Sequence, residues 1–292
     1  MTGFADRVGG APISWGVCEA PGWGHELPAD RVLAEMSGLG LRATELGPTG
    51  YLGQTPADVR ATLDRNGLTL IGGFLPVPMH VCTAEDLAEA AAAMDTLAAA
   101  GAEVVVLAAR SADGSYDHKV VLTDAEWHSL FAVLETLQRM AAERGLRASL
   151  HPHVGTAVET REAVLRLLDG SDVPLCLDTG HLLIGGMQPA ELLELAAGRI
   201  THVHLKDVNL AVAATVQDGS IAYIDGVRNG MYTPLGSGDV DVAGIVAALE
   251  AAGYTGWYVL EQDCALAGAP ASGEGPIGDV RTSIKFLTEV SR

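Results

Sequence analysis

Short apolar runs alternate with amphipathic stretches along the whole chain. Val32, Leu33, Met36 and Leu39 share one face at a 3.6-residue period, which predicts a helix over 28–39 behind a strand at 9–16. Strand 41–46 leads to a helix at 55–66, with Thr55 as N-cap, Pro56 at the first helical position and Gly67 as its stop. Strand 68–75 precedes an alanine-rich helix at 83–100 ended by Gly101. Strand 103–107 and a polar loop at 110–121 lead to a helix running to Arg144, where Thr123 and Glu126 have capping-box spacing. Strand 147–151, helix 159–169, strand 173–178, helix 189–197 and strand 199–205 continue the series. A connection at 208–240 interrupts it, longer than a passive loop should be. Helix 241–252, strand 256–261, a Gly/Pro/Ala-rich loop at 267–276 and a helix at 277–290 close the chain.

Eight strand-then-helix units in this order imply the α/β class and a closed parallel (β/α)8 barrel, whose usual size is about 250 residues. No linker divides the chain, so residues 1–292 are expected to form one domain. The 48% hydrophobic content guarantees a sizeable core, but no apolar run has the roughly 18 residues a membrane span needs. The start, MTGFADRVGG, lacks the pattern of a secretory signal. Cys18, Cys82, Cys176 and Cys264 lie far apart without a C-x-x-C pair and read as reduced thiols of a cytoplasmic protein. A net charge of -19 repels a phosphate backbone, which argues against nucleic acid as a partner.

In such a barrel the reaction centre sits at the carboxyl ends of the strands, and here those ends are polar. They read Thr44-Glu45, His151-Pro-His153, Asp178-Thr-Gly-His181, His202-Val-His204-Leu-Lys206-Asp207 and Glu261-Gln-Asp263. Alternation puts His151 with His153, and His202 with His204 and Lys206, on inward faces, while Val203 and Leu205 point outward. Imidazoles and carboxylates from successive strands suit a divalent ion, and the oxygen donors without cysteine favour Mn²⁺ or Co²⁺ over Mg²⁺ or a closed Zn²⁺ site. Glu45, His153, His181 and Lys206 are the candidate acids and bases, types whose pKa is readily tuned near a cation or in a dry pocket.

The pieces A-P-I-S-W-G-V at 11–17, T-E-L-G-P at 44–48, H-P-H-V-G-T at 151–156, D-T-G-H at 178–181, H-V-H-L-K-D at 202–207, T-P-L-G-S-G-D at 233–239 and L-E-Q-D at 260–263 resemble the xylose-isomerase-like barrel superfamily, and within it most the inosose (2-keto-myo-inositol) dehydratases. The resemblance implies a metal held by Asp178, His204 and Glu261; the strand-5 position, where many members carry Glu, falls on His151, with His153 as the alternative ligand. It also implies Trp15, Glu45, His181, Lys206 and Arg228 around a sugar-like ligand. The reaction implied is removal of a proton α to the ketone and loss of the β-hydroxyl. Reprotonating the same enolate would instead make a keto-sugar epimerase or isomerase, and a glycosidic leaving group would make a 3-keto-glycoside lyase. A non-catalytic sugar-binding barrel is the reading from another class, and it would bind without metal. The partner expected is a small polyol or keto-sugar, and the sequence is open to a homo-oligomer.

The 208–240 segment is expected to be a loop covering the site, with glycines as hinges and Arg228, Asn229, Tyr232 and Asp239 offering hydrogen bonds to hydroxyls. Asp207 is expected near the substrate, or else, like Asp263, to orient a ligand histidine or cap the next helix. Lys206 has a structural alternative as ion-pair partner of Glu45 or Glu261. Trp15 and Trp23 either stack on a sugar face or fill the barrel mouth. The G-x-G-x-x-G at 273–278 has no following strand and reads as a coincidence rather than a dinucleotide site.

Overall fold

The capping signals work as written. Thr55, Thr83 and Thr123 each accept the N–H three residues on, and Asp58, Asp86 and Glu126 reach back to close three capping boxes. In the computed structural model, which describes residues 4–290, these start helices α2 (Pro56–Asn66), α3 (Ala84–Ala100) and α4 (Asp124–Ala142), after α1 (Ala29–Gly38). The later helices are α5 (Arg161–Gly170), α6 (Thr179–Ile184), α7 (Pro189–Ala196), α8 (Leu210–Gln217), α9 (Tyr223–Arg228), α10 (Val242–Ala251) and α11 (Pro276–Val290).

The strands are β1 (Val8–Gly10), β2 (Ala43–Thr44), β3 (Thr69–Leu70), β4 (Gly72–Val77), β5 (Val104–Ala109), β6 (Arg147–Leu150), β7 (Leu175–Asp178), β8 (Ile200–Leu205), β9 (Asp207–Val208), β10 (Tyr232–Thr233) and β11 (Tyr258–Leu260). The main sheet runs β3-β2-β1-β11-β8-β7-β6-β5-β4, parallel throughout. Ile71 is the seam between its two ends: its N–H donates to Thr44 O at 2.9 Å, and its carbonyl accepts from Glu103 N at 3.0 Å. The ring is thereby carried from β3 to β4, with one barrel position divided between them. Glycine is needed at this seam, because a Cβ on Gly72 would meet Val104 O at 2.6 Å.

Two layers of core follow from strand alternation. Leu177, Val203 and Leu205 belong to the large cluster that packs the helices on the barrel, while Val104, Val106 and Cys176 form a separate cluster. The first strand is shorter than the expected 9–16: after Gly10, Pro12 opens a 3-10 turn, Pro12–Trp15, which swings Trp15 out of register. The segment 208–240 is not the expected loop. Antiparallel β9 and β10 bracket α8 and α9, and Trp23, Val154, Ile184, Tyr223, Met231 and Tyr232 share its own apolar cluster. All four cysteines are free thiols. Among the described residues no helix is long and apolar enough to cross a membrane.

Candidate metal centre and its cavity

Asp178 ends β7 and at the same time caps α6. Its Oδ1 accepts from Gly180 N at 2.9 Å and His181 N at 2.8 Å, which leaves Oδ2 buried without a hydrogen-bond partner. Thr179 ties this turn to the end of β8, its Oγ1 donating to Lys206 O at 2.6 Å and accepting from Lys206 N at 2.9 Å. Gly180 has to be glycine here, since a Cβ would stand 2.7 Å from Lys206 Cβ. The D-T-G-H stretch thus locks two strand ends together and aims one carboxylate oxygen inward.

Three further groups face that oxygen or its neighbours. His151 Nε2 lies 3.2 Å from Asp178 Oδ2, and His204 Nδ1 lies 3.7 Å from Asp178 Oδ2 and 2.8 Å from Glu261 Oε2. His204 Nε2 is 3.0 Å from Glu45 Oε1, and His202 Nε2 is 2.7 Å from the same oxygen. A carboxylate only accepts, so both Nε2 atoms carry the hydrogens. Burial opposes charge on His204, but the surrounding acids, Glu261 and Glu45 among them, raise its pKa well above the usual imidazole range. Without a metal, Nδ1 therefore faces two carboxylate oxygens as a protonated nitrogen, and a cation bound there would take the place of that proton. His151 Nε2, His204 Nδ1 and Asp178 Oδ2 are all buried and lack a partner in hydrogen-bonding geometry. Ligands about 2.0–2.2 Å from a divalent ion stand about 3 Å apart at right angles, and the spacings fit that polyhedron edge. Asp178, His204 and Glu261 form one such cluster, and His151, Asp178 and His181 form a second that shares Asp178.

The charges agree with this picture. Burial alone would raise the Glu45 carboxyl, but the charge on His204 and the hydrogen bonds from His202 and His204 overcome it and hold the pKa at about 2. Burial would likewise raise Glu261, and His204 and Lys206 hold it well below the usual range. Burial opposes the charge on Lys206, yet Asp263 and Glu261 keep it an ammonium, with Glu261 Oε2 at 2.9 Å and Asp263 Oδ1 in close contact. Burial and the neighbouring His151 lower His153 to about 3, so that ring is neutral. Its Nδ1 donates to Val154 O at 2.7 Å, which leaves the lone pair on Nε2. His181 stacks against it with ring centroids 3.7 Å apart.

A cavity of about 600 Å³ opens above this floor, lined by Glu45, His151, His153, Lys206 and Glu261 of the sequence candidates. Four residues expected near the substrate lie off this lining, and one is His181, buried and stacked against the cavity-lining His153. Trp15 is fully buried, with Nε1 donating to Glu35 at 2.8 Å, because the 3-10 turn points it toward α1. Arg228 is half-exposed and donates to the carbonyls of Gly22 and Trp23 at 3.1 and 3.2 Å. Asp207 is buried and spends both oxygens on backbone N–H groups of Val208, Gly236, Gly238 and Val240. Trp23 does line the cavity, as do Phe74, Tyr116 and Tyr223, which the sequence reading passed over. Phe74 in β4, Tyr116 in a loop and Tyr223 at the start of α9 are isolated aromatics without a shared periodic signal, and only the length of the 208–240 segment hinted at Tyr223.

Comparison with known proteins agrees with the architecture. A family model for the xylose isomerase-like TIM barrel matches residues 33–290. The chain is 36% identical over 276 residues to an inosose dehydratase of Geobacillus kaustophilus, covering 89% of each chain. It is 34% identical over 277 residues to an inosose dehydratase of Geobacillus thermodenitrificans, covering 89% of this chain and 91% of that one. Among solved structures, the IolI protein with a bound zinc atom superposes with a TM-score of 0.69 at 17% identity, over 98% of both chains. With its barrel, strand-end histidines and full-length relatives, this chain belongs to the xylose isomerase-like TIM barrel family.

Proposed function

We propose that this chain is a metal-dependent dehydratase, a carbon–oxygen lyase acting on 2-keto-myo-inositol. The observation that carries the reading is the set of buried, unpartnered ligand atoms, Asp178 Oδ2, His151 Nε2 and His204 Nδ1, closing on Glu261 Oε2, in a chain with full-length inosose dehydratase relatives. These four residues would hold a divalent ion, which would supply Lewis acidity toward the substrate's ketone. Two imidazoles and two carboxylates without a thiolate favour Mn²⁺ or Co²⁺.

The chain's own groups supply the rest. His153, with its proton fixed on Nδ1 by Val154, presents the lone pair on Nε2 as acceptor for the proton α to the ketone. Burial and the neighbouring His151 make this nitrogen a weak base, so the transfer depends on how far the α position is acidified. Lys206 is the cation along the cavity lining, held by Glu261 and Asp263, and donates toward oxygen that gains charge as the hydroxyl departs. Glu45 faces the cavity too, but its Oε1 serves His202 and His204 and so orients a ligand. Trp23, Phe74, Tyr116 and Tyr223 give the apolar walls that suit the C–H faces of a cyclitol and exclude water.

The test is to incubate Mn²⁺-loaded protein with 2-keto-myo-inositol and follow the absorbance of the diketone product. Folded, metal-replete protein that forms no diketone would refute the dehydratase reading. Formation of an isomeric keto-cyclitol in its place would make the chain an epimerase or isomerase of the same enolate.

A further inference from the structure

The 208–240 segment brings two tyrosines into a buried hydrogen-bonded row that the mechanism above leaves unused. Tyr223 Oη is 2.9 Å from Asp263 Oδ2 and 2.8 Å from Tyr232 Oη, and Tyr232 Oη is 3.4 Å from His181 Nδ1. At the far end, Asp263 Oδ1 contacts the Lys206 ammonium. Both tyrosines are almost fully buried, as is His181. The remaining ring nitrogen, His181 Nε2, is buried with no partner in hydrogen-bonding geometry.

The direction of every hydrogen in this row follows from its first member. Asp263 is a carboxylate against an ammonium and can only accept, so Tyr223 gives its single hydrogen to Asp263. The 2.8 Å contact between the two hydroxyls then needs the hydrogen of Tyr232, which points at Tyr223. Tyr232 has no hydrogen left for His181, so its oxygen accepts, and His181 Nδ1 is the donor. The reverse arrangement would leave two hydroxyl oxygens 2.8 Å apart without a hydrogen between them. It would also leave an N–H on Nε2 with nothing to receive it.

We propose that Tyr223 and Tyr232 are positioning residues that fix His181 as its Nδ1–H tautomer, so that Nε2 carries a bare lone pair at the reaction centre. His181 has a ring nitrogen grouped within 4.8 Å of ligand atoms of His151 and Asp178. The ring thus sits beside the metal ligands and stacks on His153, which lines the cavity. Asp263 then has two tasks, holding Lys206 with one oxygen and setting the polarity of the tyrosine row with the other. The kinetic consequence rests on the dehydratase reading, whereas the tautomer does not.

The tautomer is read by two-bond ¹H–¹⁵N correlation spectra of protein labelled at histidine nitrogen, with His181→Gln to identify the signal. The wild-type ring is expected to show hydrogen on Nδ1. Tyr223→Phe removes the acceptor that occupies Tyr232, which frees the Tyr232 hydroxyl to turn and donate to Nδ1. The hydrogen on His181 is then expected to move to Nε2. With 2-keto-myo-inositol as substrate, kcat of Tyr223→Phe is expected to fall about 10- to 100-fold with KM changed much less, the usual size of such an orienting effect. A wild-type His181 carrying its hydrogen on Nε2 overturns the proposal, as does an Nδ1–H tautomer that persists in both Tyr223→Phe and Tyr232→Phe. If the wild type lacks dehydratase activity, the substrate reading fails while the spectra still decide the tautomer.

Discussion

Replacing Glu45 by glutamine keeps the shape of the side chain and removes its charge and half of its accepting capacity. In the wild type, Oε1 of this nearly fully buried carboxylate accepts from His202 Nε2 at 2.7 Å and His204 Nε2 at 3.0 Å, and this turns His204 Nδ1 toward Glu261 and Asp178. A glutamine can accept through its oxygen, but its NH₂ group can equally turn and donate to His204 Nε2. The ring would then carry hydrogen on Nδ1, and the ligating lone pair would be lost. Losing a group that orients a ligand histidine costs about 10- to 100-fold in metal affinity, or about 1.4–2.7 kcal/mol at 1.36 kcal/mol per tenfold. The assay is competition for Mn²⁺ against a fluorescent chelator, at a pH where the metal-free ligands are deprotonated in both proteins. Asp178→Asn serves as the control that removes a ligand outright. Should the glutamine variant hold Mn²⁺ within twofold of wild type while the control loses it, Glu45 does not set the His204 tautomer and the assignment of Nδ1 as ligand is wrong.

Asp178→Asn and Glu261→Gln are each expected to lose bound metal and diketone formation together; full metal content in both, by elemental analysis, would remove the site from these residues. Asp207→Ala strands four backbone N–H groups, at about 1–3 kcal/mol for each that stays buried, so segment 208–240 should open before the barrel does. Trypsin cleavage at Arg228 should accelerate in that variant, and an unchanged rate would show that Asp207 does not anchor the segment. In metal-free protein, His153 resists protonation down to about 3 while the unfolded chain takes up its proton near the ordinary 6.5. The stability it contributes is complete above 6.5 and falls as pH drops, by about 1.4 kcal/mol per unit, or about 2 kcal/mol by pH 5. Urea titrations at pH 7 and 5 should show this loss in the wild type and a smaller one in His153→Gln; equal losses would refute it.

The strand ends were legible because a parallel barrel forces inward residues to recur every second position. That rule alone grouped His202 with His204 and Lys206, and turned Val203 and Leu205 outward. Two helix starts were legible from their threonines, Thr55 as an N-cap and Thr123 followed three residues on by Glu126, local hydrogen-bond patterns independent of the fold. Trp15 was misread because a motif gives no orientation: four residues of 3-10 turn decide whether an indole meets a ligand or Glu35. The 208–240 segment hid two helices since α8, LAVAATVQ, is apolar on nearly every side and buries only Ala213, leaving no 3.6-residue contrast. Tyr223 could not be found from the sequence, since its task depends on a contact with Asp263 forty residues away.

The pairing of β1 with β11 has a consequence for synthesis. Val8 is in register with Tyr258, so the first strand of the barrel waits for a partner 250 residues downstream. At about 5–20 residues per second, that is roughly 13–50 seconds in which a nascent β1 shows one bare edge. A long, alternating, apolar strand in that position would be a template for aggregation. β1 is three residues, Val-Gly-Gly, too short and too poor in side chains to recruit another chain. The same glycines let it slip into the finished ring, where a Cβ on Gly9 would meet Ile71 and stand 3.2 Å from Ala43 O. The weakest-looking strand of the barrel is thus suited to being made first and seated last.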